Sequence, residues 1–195
     1  MLLAVLHLVF TVPLILSAER YENPTGSLPA LSFARLGSTL LVDLLTGIGF
    51  ALLLGALWLW RGAPKGFAAG ALWGICGFLS VNLAPALGLP PELPGTAAAA
   101  LGARQWWWLG TVVCTALGLA VLCWLPGLWR KLPGVVLLLV PQLAGAPLAA
   151  LAAALAPVAL ATQFEWTALA VSAAFWLVLG SVGAVLFARG FKLAD

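Results

Sequence analysis

Three polar side chains interrupt long apolar runs of this sequence: His7, Asp43 and Asn82. An imidazole nitrogen, a carboxylate and an amide carbonyl are all donors to metal ions, and imidazole suits a borderline-soft divalent ion. An ionisable group inside a membrane span costs roughly 3 kcal/mol near its centre and is a functional candidate by default. Asp43 is the sharpest of the three. Its competing reading is an interfacial aspartate capped by Arg35 or water. His7 has three roles open to it: metal ligand, proton relay or a hydrogen bond between helices. Asn82 and Gln142 offer carbonyl oxygens to a cation, but joining two helices is the more ordinary use of such amides in a membrane.

Glu19, Glu22, Glu92 and Glu165 lie just outside the apolar runs. Carboxylates around one mouth would concentrate cations there. Arg20, Arg35 and Arg104 are near enough to neutralise three of them. The candidate cation path is therefore Glu19, Glu22 and Glu92 outside, Asp43 with Asn82 at the entry, and His7 deeper. No cofactor is expected to stay bound.

Glu92 belongs to the most shaped loop of the chain, Leu89-Pro90-Pro91-Glu92-Leu93-Pro94-Gly95. Prolines fix the backbone and remove amide donors, so Pro90, Pro91, Pro94 and Gly95 specify its course. Arg104-Gln105-Trp106-Trp107-Trp108 follows, and tryptophans belong at a membrane interface.

Other chemistries find little support. There is no GxxxxGK[ST] phosphate loop, and no serine sits in a GxSxG elbow beside the single histidine, so the chain reads as a non-enzyme. The cysteines Cys76, Cys114 and Cys123 lack CxxC spacing and read as small packing residues. Cys76 and Cys114 fall at similar depth and could meet. The net charge of +3 carries no basic cluster suited to nucleic acid.

The elements that must position these residues follow from composition. Hydrophobic residues are 64% of the chain and charged residues 8%, against roughly a quarter charged in a soluble domain. The chain reads as all-α, a single polytopic helix bundle in the bilayer covering residues 1–195. Six apolar segments approach the ~20 residues a crossing needs: Leu2–Ala18, Leu36–Trp60, Phe67–Leu87, Gln105–Leu125, Pro133–Ala149 and Trp166–Ala188. The fifth is short and contains Pro141 and Pro147. The alternative is five crossings plus one re-entrant segment. The first lacks the basic start of a signal peptide and is expected to stay attached.

With six crossings, Arg61, Lys65, Arg130, Lys131, Arg189 and Lys192 share one side with both termini. The positive-inside rule makes that side cytoplasmic. Gly66, Gly70, Gly74 and Gly77 in the third segment, and Gly110, Cys114 and Gly118 in the fourth, form small faces that let helix backbones approach. They suggest that these two helices pack together.

The residues then resemble a known family. Pro13-Leu14-Ile15 with Ala18-Glu19 and Tyr21-Glu22, Ala84-Pro85 with Gly88 through Gly95, Arg104-Gln105 with Trp107-Trp108, and Thr115 with Gly118 look like its blocks in order. So do Pro141 with Gly145-Ala146-Pro147, Gln163-Phe164, and Phe175-Trp176 with Gly180. The family is CbtA, the proposed cobalt transporter subunit. The resemblance implies a multi-pass protein of the bacterial inner membrane with Co²⁺ as the transported ion. It also implies a small CbtB-like partner with one span and a histidine-rich end. The chain departs from the family at Gln142, where the resemblance leads one to expect histidine. A homo-oligomer stays open, and nickel is not separable from cobalt by ligand type. The alternative function is a non-transporting membrane accessory or scaffold linked to metal or cobalamin supply.

Overall fold

The computed structural model describes residues 2–22, 32–149 and 155–192. Its described residues form six helices and no strand: α1 (Leu2–Glu22), α2 (Phe33–Arg61), α3 (Phe67–Ala86), α4 (Leu101–Trp124), α5 (Leu128–Ala144) and α6 (Val158–Lys192). Five of them, all but α5, are long and apolar enough to cross a membrane. Large apolar side chains such as Leu52, Leu53 and Trp106 point outward. That is stable only where lipid replaces water.

The fifth expected crossing, Pro133–Ala149, is instead the 17-residue helix Leu128–Ala144. It starts earlier than expected and stops at Gly145, which has φ +77°. At 1.5 Å per residue it is about 26 Å long, short of the ~30 Å hydrocarbon layer. Other ends also move outward from the hydropathy estimate. Helix α1 runs on through Glu19, Arg20 and Glu22. Helix α4 begins at Leu101, four residues before Gln105, and takes in Arg104, and α6 begins eight residues before Trp166, so Glu165 lies within a helix. Polar residues near the ends lower local hydropathy without breaking the backbone pattern, so hydropathy trims helices that hydrogen bonding continues.

The chain forms two compact units. One comprises residues 1–75 and 166–195, the other residues 76–165.

In the first unit, α3 and α6 meet backbone to backbone. A Cβ on Gly70 would fall 2.6 Å from the Ala184 Cβ and onto the Gly180 carbonyl. One on Gly180 would lie 2.8 Å from the Gly74 Cα. Phe50 stacks on Trp176 at 4.7 Å between ring centroids, and Trp58 meets the edge of Phe187 at 5.5 Å. Within 4 Å of an added Cβ, Gly66 and Gly110 have no neighbour.

In the second unit, α4 packs on α5 through Gly118 and Gly134, each Cβ position lying 2.9 Å from the other's carbonyl oxygen. The small faces read from the sequence are therefore used, Gly70 and Gly74 of α3 against α6 and Gly118 of α4 against α5, while α4 also packs on the Leu79–Ala86 end of α3, as the sequence suggested. A single glycine on each partner, Gly180 and Gly134, is enough for close approach, and a single glycine has no visible period. Cys76 meets the thiol of Cys123, where the sequence had suggested Cys114.

Candidate functional site

Helix α1 supplies His7 and α2 supplies Asp43, and the two side chains meet inside the first unit. The His7 Nδ1 lies 2.8 Å from the Asp43 Oδ1. Asp43 is 6% exposed and the histidine 31%. Against an ionised carboxylate Nδ1 is the donor, which leaves the Nε2 lone pair free for a ligand. A carboxylate that orients an imidazole in this way is the usual outer partner of a metal-binding histidine. The second carboxylate oxygen, Oδ2, is buried and has no hydrogen-bond partner among the described residues.

A cavity of about 270 Å³ adjoins Asp43. Its walls are otherwise apolar, built by Leu2 and Leu3 of α1, Gly47 of α2, and Phe175 and Leu179 of α6. A buried carboxyl oxygen without a donor is costly, and Asp43 is one of the residues that line the cavity.

The backbone around His7 is a π turn, His7–Thr11, closed by the Val12 N–H donating to the His7 carbonyl. The Thr11 hydroxyl donates to the same carbonyl at 2.9 Å. Asn82 sits on a second π turn, Leu79–Leu83, in the second unit. Single π turns inside α-helices occur often at functional sites. No signal in hydropathy announces them, although a proline two residues beyond each turn, Pro13 and Pro85, would have pointed to a helix irregularity.

The outer carboxylates are differently placed. Glu19 accepts two hydrogen bonds from the Arg35 guanidinium, Nη2 to Oε1 and Nη1 to Oε2, the latter at 3.0 Å. Arg35 is thus taken by Glu19, and Asp43 by His7. Glu92 accepts from the Arg104 Nη2 at 2.8 Å in the second unit. Glu22 is exposed at the end of α1. Asp195 lies outside the described residues. No group of three or more His, Cys, Asp or Glu side chains comes together among the described residues. Of the six candidate path residues, the structure brings His7 and Asp43 together and gives Glu19 and Glu92 to arginines.

The proline loop is fastened at several points. Leu93 is 3% exposed. Thr96 N–H donates to the Leu93 carbonyl at 3.4 Å. That closes a turn with Pro94 first and Gly95, at φ +76°, second, the combination a type II turn requires. A Cβ on Gly88 would lie 2.6 Å from the Trp107 ring. Trp107 is thus half-buried against the loop, whereas Trp106 is 75% exposed. Gln142 Nε2 donates to the Ala84 carbonyl at 2.9 Å, so this amide joins α5 to the end of α3.

Residues 1–188 match the family described as "Probable cobalt transporter subunit (CbtA)". The chain belongs to the CbtA family. No curated protein matches it, and no solved structure does. The CbtA match embraces both units, and its span holds His7, Asp43, Asn82, the proline loop and Gln142. In this CbtA chain the His–Asp pair lies between apolar helices beside a cavity, with the His7 Nε2 as the nitrogen not used by Asp43.

Proposed function

We propose that this CbtA chain is the membrane subunit of a cobalt transporter, carrying a divalent transition-metal ion through a path that includes His7 and Asp43. The observation that carries the proposal is the 2.8 Å His7–Asp43 contact, made between two span-length apolar helices of a chain in this family. Charged groups in such positions are expensive and are retained for ions or protons. Co²⁺ suits imidazole and carboxylate together.

Glu22 attracts the ion at the outer face. Glu19 and Glu92, each held by an arginine, add little attraction of their own, because an ion pair has little field at a distance. The reading places both termini in the cytoplasm of a bacterial inner membrane. A small single-span partner with a histidine-rich end delivers the ion. The function is transport and not catalysis.

The test is ⁵⁷Co²⁺ uptake in a bacterium lacking its own cobalt importers, expressing this chain alone and with the small partner, with Ni²⁺ as competitor. Uptake that requires both chains supports a two-subunit importer. No uptake with both proteins in the membrane favours the accessory reading, in which the chain anchors or senses for another protein.

A further inference from the structure

Helices α1 and α3 share a local device. His7–Thr11 and Leu79–Leu83 are five-residue π turns, and each ends two residues before a proline. Each is closed by a bond spanning five residues, Val12 N–H to the His7 carbonyl and Ala84 N–H to the Leu79 carbonyl. In an unbroken α-helix the proline ring presses on the carbonyl four residues back, here that of Val9 or Val81. A wide turn at that place moves the carbonyl aside. In α1 the Thr11 hydroxyl adds a second bond to the His7 carbonyl.

We infer that the π turn of α1 is what sets His7 against Asp43, with Thr11 and Pro13 as its positioning residues. A π turn holds one residue more than an α turn. That residue absorbs about 100° of helical rotation and about 1.5 Å of rise. The part of α1 beyond the turn is anchored: Ala18 is 1% exposed and Glu19 grips Arg35 of α2. The part before it is anchored as well, with Leu3 and Ala4 buried and Leu2 and Leu3 forming a wall of the Asp43 cavity.

Both halves face inward together only while the turn is wide. If the turn tightens without losing a residue, the anchored half stays and the segment from Leu2 to His7 swings by about 100°. His7 then leaves Asp43, and Leu2 and Leu3 leave the cavity wall. One local change in α1 thus parts the polar pair and opens the space beside it. This holds whichever ion the pair serves.

The test uses the full chain with Cys76, Cys114 and Cys123 replaced by serine and with His7→Cys and Asp43→Cys added. A short bifunctional thiol reagent joins the two new cysteines, and mass spectrometry measures the yield. Thr11→Val with Pro13→Ala removes both supports of the wide turn, and the yield is expected to fall at least fivefold. Deleting Val9 in that background removes the extra residue and is expected to restore the yield to within twofold of the parent. An unchanged yield in the double variant overturns the inference, as does a deletion that restores nothing. Should the double variant fail to fold, the deletion variant decides alone. A folded chain with parental yield supports the inference, and a folded chain without the cross-link overturns it. The readout needs no cobalt, so absence of uptake alongside these results counts against the transport reading alone.

Discussion

The His7–Asp43 pair and the Glu92–Arg104 pair are both contacts between an acid and a nitrogen base, at 2.8 Å in each case, yet they differ in what surrounds them. Around the His7–Asp43 pair there is a cavity, an oxygen without a partner among the described residues, and a π turn. Around Glu92 there is a proline turn, a buried leucine, and a glycine packed closely against the Trp107 ring and Ala146. The first pair lies beside open space, while the second closes a loop. The Glu92 loop is the most conspicuous motif in the sequence, and its chemistry is mostly used up in holding its own shape. The quieter pair, 36 residues apart in sequence, keeps unspent bonding capacity.

The largest expected effect falls on the scaffold that both regions depend on. Gly180→Val puts methyl groups into the Gly70 and Gly74 backbone. It should cost about 3 kcal/mol, read as a sharp fall in melting temperature of the detergent-solubilised chain. Gly49→Ala, where a Cβ meets nothing within 4 Å, should leave the melting temperature within a degree or two.

Asp43→Leu separates stability from function. It removes the His7 hydrogen bond together with a buried oxygen that has no partner among the described residues, so stability should hold to within about 1 kcal/mol while uptake is lost. A loss of stability would mean that Asp43 serves the fold. Arg104→Ala and Glu92→Ala should instead act together. Their side chains are 29% and 24% exposed, and a double-mutant cycle on melting should give a coupling of about 1 kcal/mol or less. Both variants should lower uptake by similar, partial amounts. Uptake lost with Glu92→Ala but kept with Arg104→Ala would make Glu92 a ligand and erase the contrast. The smallest effect belongs to Glu22→Gln. It should slow uptake by less than threefold at low salt and not at all at about 1 M salt, where the Debye length is about 3 Å.

Much of the fold was legible in composition. Apolar run length gave the helices and their order because an unpaired backbone is intolerable in lipid. The failures have a common cause. Gly180 and Gly134 are lone glycines, so the pairing of α3 with α6 and of α4 with α5 left no period to read. The expected span at Pro133–Ala149 moved to Leu128–Ala144 because Gly127 and Gly145 set the ends of α5, at φ +90° and +77°, more firmly than hydropathy did.

The candidate site was half legible. His7 and Asp43 stood out as ionisable groups in apolar runs. That they touch depends on the π turn, which hydropathy does not encode. The arginine partners of Glu19 and Glu92 were visible as an alternative, and the three-dimensional arrangement chose it.

The most direct test of the central claim is ⁵⁷Co²⁺ uptake by the wild-type chain, Asp43→Ala and Arg104→Ala, with the small partner present and each variant at equal membrane abundance. Abolished uptake in Asp43→Ala, with partial uptake in Arg104→Ala, is the predicted result. Wild-type uptake by Asp43→Ala would contradict the claim that the ion passes the His7–Asp43 pair.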